Sequence, residues 1–172
     1  MIATAIPAGF AAGFFGIGGG LVTVPILFYI FNTSGIEPTY VMHLAVGTSF
    51  GIIIPTSTVS VLTHHQHKAV DFNIVKGFGF FVATGVILGT VFAASLETKP
   101  LILFFTIVVY ILAFYLLFLK ERETSIEIKM GLLSKAVSGI ISGFISAPMG
   151  IGGAVMNVPI LKFFGYPINK AI

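Results

Sequence analysis

The 172-residue sequence contains no cysteine and no tryptophan, and Asp, Glu, Lys and Arg make up only 9% of it. Without cysteine the chain has neither disulfides nor thiolate metal sites. Soluble domains carry about 25% charged residues, so this composition excludes an ordinary soluble domain. Hydrophobic residues make up 56% of the chain and its mean hydropathy is +1.07. These values predict an integral membrane protein, with the lipid bilayer as its surroundings.

The nine Lys and Arg residues outnumber the six Asp and Glu residues, which gives a formal charge of +3. The basic residues are spread between apolar segments, as is typical of loop charges that set membrane orientation. We therefore expect no nucleic-acid partner. The chain also lacks Gly-Lys-Ser and Gly-Lys-Thr, so it contains no phosphate loop for ATP.

A Gly-Ile-Gly-Gly motif occurs at residues 16–19 and again at 150–153, and each copy is followed at the same spacing by Val-Pro-Ile-Leu. Of the 23 positions from 5 to 27, eleven are identical to the residue 134 positions later. Chance identity between apolar segments does not keep two motifs in register, so the pattern predicts an internal duplication. We predict a first transmembrane repeat over 1–119, a charged linker loop over 120–131, and the start of a second, incomplete repeat over 132–172.

The first repeat contains four apolar stretches. Residues 40–62, 72–96 and 101–119 each suit one membrane-crossing helix. The uncharged stretch 2–31 is longer than a single crossing needs, and its glycines at 16–20 favour a break between two half-helices. The predicted fold class is all-α, a polytopic transmembrane helical bundle with an internal repeat and glycine-broken helices.

Basic loop residues distinguish two topologies for the broken segment. If it crosses the membrane, the Lys and Arg residues divide six to three between the two sides. If it enters and returns on one side, Lys162 and Lys170 join the larger group and the division becomes eight to one. The positive-inside bias favours the second, re-entrant topology, in which the two repeats are inverted relative to each other.

The two glycine motifs, their Val-Pro-Ile-Leu sequences and Gly47-Thr48-Ser49 together resemble the sulfite exporter TauE/SafE family of membrane permeases. The resemblance covers the whole chain. It implies a multi-pass transporter in the cytoplasmic membrane of bacteria or archaea that moves sulfite, organosulfonates or related sulfur-containing anions. Family members generally have a complete second half. The chain is therefore expected to be a truncated member or fragment, or else a non-transporting subunit or scaffold that needs a second copy or partner chain.

The glycine breaks are the predicted anion path. A helix that restarts after a break presents unpaired N–H groups and the positive end of its dipole, and both favour an oxyanion. The alternative is that the glycines serve helix packing alone. The path residues predicted from the breaks and the nearby polar side chains are Gly16, Gly18, Gly19, Gly20, Thr23, Pro25, Thr48, Ser49, Gly150, Gly152, Gly153, Asn157 and Pro159.

His43 lies near the start of the second apolar stretch, which leaves two roles open, proton coupling in the path or an interfacial position. His64, His65 and His67 lie in a polar loop without nearby cysteines or an acidic cluster, so we predict no metal site there. No nucleophile–base pair or metal cluster is recognisable in an apolar stretch, and we therefore expect no enzyme activity, no catalytic residues and no cofactor.

Overall fold

The structure, a computed structural model, describes residues 20–66, 72–118 and 131–153 together with 156, 157 and 160. These residues form five α-helices, and the described part of the chain contains no strand. The helices are α1 (Gly20–Thr33), α2 (Val41–Gln66), α3 (Phe72–Ser95), α4 (Thr98–Phe118) and α5 (Leu132–Ser146). The predicted all-α transmembrane class is confirmed.

Three segments are long and apolar enough to cross a membrane, namely Val41–Thr63, Gly77–Ser95 and Thr98–Tyr115. They coincide with the three crossings predicted from the sequence. Helices α1 and α5 are shorter, with 14 and 15 residues, so each extends only about 21 to 23 Å at 1.5 Å per residue. Neither can cross a hydrocarbon core of roughly 30 Å by itself.

One helix end differs from the sequence-based expectation. Helix α2 continues to Gln66 although His64 and His65 were expected to lie in a loop, and the Thr63 hydroxyl bonds the Val59 carbonyl within this last part of the helix. Helix α4 begins at Thr98, which puts Pro100 at its third position. A proline is tolerated at this third position because the first turn of a helix has no intrahelical acceptor for its N–H groups.

Helices α3 and α5 pack closely through glycines on both sides. A Cβ atom on Gly143 would lie 2.2 Å from the Val82 carbonyl oxygen, and one on Gly85 would lie 2.3 Å from the Ile140 carbonyl oxygen. Gly89 in the same way lies against Phe144. This packing follows the small-residue contacts typical of membrane helices.

The order of these contacts shows that α3 and α5 run in the same direction. Gly77, near the start of α3, lies beside Lys135, near the start of α5, and Gly89 lies beside Phe144 toward the other end. Both helices therefore begin on one side of the membrane. We call this side, on which α3 and α5 begin, the loop side.

The opposite side, called here the turn side, carries the connections between α1 and α2 and between α3 and α4. The Thr98 hydroxyl donates to the Thr39 carbonyl at 2.5 Å, and His43 Nε2 lies 3.2 Å from the Ala93 carbonyl oxygen. These bonds tie the start of α2 to the junction of α3 and α4. Since α1 and α2 form an antiparallel pair joined by a short turn, α1 runs parallel to α3 and α5.

The outer surface of the helices is apolar. Tyr110, Phe114 and Leu117 on α4 are each more than 60% exposed, at positions that place them along one face of that helix. Such a face suits contact with lipid. Residues 120–130 of the predicted linker loop over 120–131, and His67 of the predicted polar loop, lie outside the described residues.

The glycine interface yields a stability prediction with a definite sign. Alanine is intrinsically better than glycine inside a helix by about 1 kcal/mol, but a methyl group at Gly143 would overlap the Val82 carbonyl. We expect Gly143→Ala to lower the free energy of unfolding by about 1 to 3 kcal/mol, measured by SDS titration in mixed micelles. The matched change Gly131→Ala has open space within 4 Å and should have little effect. A more stable Gly143→Ala protein would contradict the packing.

The topology is testable because the chain has no native cysteine. Single cysteines at Gln66 and Gly131 should react from the same side of the membrane, and those at Glu37 and Lys99 from the opposite side. Most basic residues flank the loop side, so the first pair should be cytoplasmic. Labelling of inverted and right-side-out vesicles with an impermeant maleimide measures this. Labelling of Gln66→Cys and Gly131→Cys from different sides would refute the parallel arrangement of α3 and α5.

Candidate functional site

Gly20, the residue after the first glycine motif, lies directly against the second glycine motif. A Cβ atom on Gly20 would lie 2.1 Å from the Gly150 carbonyl oxygen and 2.8 Å from the Ile151 Cα atom. Both contacts are with backbone atoms, so no side-chain movement can relieve them. Gly20 must therefore remain glycine for α1 to begin where it does. Two segments 130 residues apart in the chain thus meet inside the bundle.

The second motif forms a tight, enclosed turn after α5. Gly150 and Gly153 adopt φ values of +62° and +79°, a region that other residues rarely occupy. Within the turn, the Ile151 N–H donates to the Ser146 carbonyl at 3.2 Å and the Gly150 N–H donates to the Ala147 carbonyl at 3.1 Å. Residues 146–151 are all buried. Irregular backbone at membrane depth is tolerated where protein surrounds it, as it does here.

A chain of hydroxyl groups joins α1 and α2 to this turn. The Ser49 hydroxyl donates to the Gly150 carbonyl at 2.8 Å, and Thr23 Oγ1 lies 3.0 Å from Ser49 Oγ. Ser49 has only one hydroxyl hydrogen, which the Gly150 carbonyl takes, so Thr23 is the donor to Ser49. Ser49 is fully buried. Thr23, Ser49 and the Gly150 carbonyl therefore form one connected network.

A second polar group lies on α5 and on the segment after the turn. The Ser142 hydroxyl donates to Asn157 Oδ1 at 2.5 Å. Ser146 follows one helical turn later and is 2% exposed, yet its hydroxyl has no hydrogen-bond partner among the described residues. Residues four apart share a helix face, so Ser146 projects on the side from which Ser142 reaches Asn157.

These hydroxyls behave differently from the others in the helices. Many helical Ser and Thr side chains donate to a carbonyl three or four residues earlier in their own helix, which satisfies them locally. The residues that do so include Thr56, Ser57, Thr58, Thr63, Thr84, Thr90, Ser95 and Thr106. Ser49 instead bonds Gly150 in the second glycine turn, and Ser142 bonds Asn157 in the segment after that turn.

Helices α1 and α5 meet at this site with opposite dipole ends. Helix α5 runs from the loop side to Ser146, and the described part of α1 runs from Gly20 to the turn side. Because the two helices are parallel, the negative carboxyl end of α5 faces the positive amino end of α1 across Gly150. Together, the two short helices extend across the membrane, although each by itself is too short.

Not every predicted path residue lies in this cluster. Gly20, Thr23, Ser49 and Gly150 come together, and Gly153 and Asn157 lie just beyond the turn, where the Asn157 N–H donates to the Gly153 carbonyl at 2.9 Å. Gly152 is exposed beside the Ile53 side chain. Thr48 and Pro25 are exposed as well, and Pro25 lies inside α1. Gly16, Gly18, Gly19 and Pro159 lie outside the described residues.

His43 lies near the start of α2, close to the turn side. Its Nε2 atom is within hydrogen-bond distance of the Ala93 carbonyl oxygen, whereas Ser49, six residues later, points toward α1 and Gly150. Six residues correspond to about 240° of rotation around a helix at 3.6 residues per turn, so the two side chains occupy different faces. The structure therefore places His43 at the α2–α3 contact, apart from the polar network.

The sequence interpretation did not single out Ser142 as a site residue. A signal was present, because Gly139, Ser142, Gly143 and Ser146 form a stripe of small residues at helical spacing. In this stripe, the glycines pack on α3, whereas Ser142 bonds Asn157 in the segment after the second glycine turn. Spacing alone does not separate these two roles, because both place small residues on neighbouring faces of one helix.

Similar proteins agree with the membrane architecture. A probable membrane transporter protein of Haemophilus influenzae is 33% identical over 166 residues, which cover 96% of this chain and 62% of that protein. One from Methanocaldococcus jannaschii is 28% identical, covering 95% of this chain and 61% of that protein. One from Xylella fastidiosa is 36% identical, covering 90% of this chain and 59% of that protein. The chain thus spans about 60% of the length of these relatives.

No solved structure matches the chain. The family model described as sulfite exporter TauE/SafE matches residues 1–172, which is the full length of the sequence. The resemblance noted from the glycine motifs is therefore confirmed. With helices able to span the bilayer and relatives named as membrane transporters in bacteria and archaea, the chain belongs to the sulfite exporter TauE/SafE family of membrane transporters.

Proposed function

We propose that the protein is a secondary transporter of small anions, with sulfite, organosulfonates or related sulfur oxyanions as substrates. The observation that carries this proposal is the contact of Gly20 with Gly150 of the second glycine motif. The Gly150 carbonyl also accepts a hydrogen bond from the Ser49 hydroxyl. Transporter sites commonly lie where interrupted helices of two repeats meet inside the membrane. The absence of a phosphate-loop motif in the sequence favours secondary transport.

The charge distribution around the contact of Gly20 with Gly150 suits an anion. Lys and Arg are absent from α1 and from the spans Val41–Thr63 and Gly77–Ser95. The amino end of α1 supplies positive potential without a fixed cationic side chain, which would hold an anion too tightly for rapid release. We therefore propose that the anion passes at the amino end of α1.

Gly152 separates a path role from a packing role for the glycine motifs. Gly20 is required by the close approach of the Gly150 and Ile151 backbone, and Gly150 and Gly153 are required by positive φ values. Gly152 has no positive φ and no backbone atom close to its Cβ position, where the nearest neighbour is the Ile53 Cγ2 methyl group at 3.3 Å. It is also the exposed residue in the otherwise buried turn 146–153. A glycine that the described packing does not require supports a path in which the substrate approaches the backbone.

Transport by proteoliposomes tests the function and the path together. Uptake of ³⁵S-labelled sulfite should exceed uptake by empty liposomes, and Gly152→Leu should reduce the initial rate about tenfold or more because the side chain fills the proposed path. Gly131→Leu is the matched control, since Gly131 is exposed with open space around it, and it should retain the wild-type rate. Unfolding midpoints of both variants should stay near the wild-type value.

The outcomes separate the site from the substrate class. An unchanged uptake rate in Gly152→Leu would remove the second glycine turn from the path while leaving transport intact. Uptake of sulfite, thiosulfate and taurine no greater than that of empty liposomes would contradict the proposed substrates.

A further inference from the structure

We propose that Ser142, Ser146 and Asn157, called here the serine seat, bind a Na⁺ ion that is carried together with the anion. The seat lies at the last turn of α5 and at the segment after the second glycine turn. This inference rests on the proposed function, because it names the ion that drives transport of the anion past the contact of Gly20 with Gly150.

The first observation is the hydroxyl group of Ser146. The residue is 2% exposed, and its Oγ atom has no hydrogen-bond partner among the described residues. Other helical hydroxyls, such as those of Thr84 and Thr90, are satisfied by their own helix. A buried polar group without a partner is costly, above all in a membrane where lipid offers none. Ser146 therefore points to a ligand that completes its coordination.

The second observation is the orientation of the neighbouring groups. The hydrogen of Ser142 is used by Asn157 Oδ1, which leaves the Ser142 Oγ lone pairs available as acceptors. Ser142 is also fully buried. Two serine oxygens one helical turn apart and an amide oxygen provide the neutral oxygen ligands that suit a hard cation such as Na⁺.

The dipole of α5 determines the sign of the ion that the serine seat favours. The seat occupies the carboxyl end of α5, where the dipole and the last carbonyl groups are negative. An anion is disfavoured at such an end and a cation is stabilised. Carboxyl ends of interrupted helices, together with unwound carbonyls, are suitable Na⁺ ligands in membrane transporters. The anion and the cation are thus assigned to opposite helix ends across Gly150.

This arrangement provides a simple origin for coupling. The described parts of α1, α2 and α5 contain no Asp or Glu, so the seat has no fixed carboxylate to neutralise Na⁺. An anion at the amino end of α1 supplies the missing negative charge. Each ion should then increase the affinity for the other by the same factor, as linkage requires.

Binding of ²²Na⁺ to the purified protein, measured by scintillation proximity, tests the seat directly. We expect saturable binding that unlabelled Na⁺ displaces and K⁺ does not, with an affinity at least threefold higher when sulfite is present. Ser146→Ala should weaken Na⁺ binding at least tenfold. Its unfolding midpoint should be unchanged or higher, since the variant removes an unpaired buried hydroxyl.

Ser138→Ala provides the matched control. Ser138 lies on the same helix two turns before Ser146, about 12 Å away along the axis, and it is only partly buried. This variant should bind Na⁺ as the wild type does. Equal Na⁺ affinity in Ser146→Ala and wild type, or no saturable binding at all, would overturn the seat and leave a buried water as the partner of Ser146.

Flux measurements distinguish failure of this inference from failure of the proposed function. Sulfite uptake that is the same in Na⁺ and in N-methylglucamine would refute coupling through the seat and leave anion transport standing. Sodium binding that is lost in Ser146→Ala, in a protein that moves no sulfur anion, would support the seat and refute the proposed substrates.

Discussion

The contact of Gly20 with the Gly150 carbonyl is the constraint on which the rest of the structure depends. Helices α1 and α5 are each too short to cross the bilayer, and they extend across it only because one begins where the other ends. Their junction requires irregular backbone at membrane depth, which would be prohibitively costly against lipid. The burial of residues 146–151 and the bond from the Ser49 hydroxyl to the Gly150 carbonyl make this junction tolerable.

The remaining helices hold the junction at its depth in two groups. Glycine contacts fix α5 against α3, while α1 and α2 pack on each other and meet α5 through Gly20 and Ser49. The groups are tied on the turn side by the bonds of His43 to Ala93 and of Thr98 to Thr39. Backbone-to-backbone packing resists small shifts, whereas hydroxyl bonds can be exchanged for bonds to a ligand. The contact between the two groups combines both kinds, with backbone packing at Gly20 and a hydroxyl bond at Ser49.

Much of this fold was accessible from the sequence, and the reason differs from element to element. The three crossings follow from the length of apolar runs, a property that the bilayer imposes directly on composition. The packing role of Gly85 and Gly89 follows from their spacing. The partner of Gly20 was not deducible, because repeated motifs reveal that two segments are alike but not that their backbones touch. Likewise, Thr48 and Ser49 are adjacent in one motif, yet only Ser49 faces the junction, since neighbouring residues project about 100° apart on a helix.

The sequence repeat also explains why the polar groups at the junction are unequal. Thr23 and Asn157 occupy equivalent positions, 134 residues apart, but Thr23 bonds Ser49 on the following helix whereas Asn157 bonds Ser142 on the preceding one. Equivalent residues therefore lie at opposite helix ends, one beside the positive end of α1 and the other beside the negative end of α5. A duplicated motif placed in this way presents two neutral polar sites with potentials of opposite sign. The proposed joint binding of an anion and a cation rests on this pair, which needs no fixed charge inside the membrane, where a charged side chain is costly.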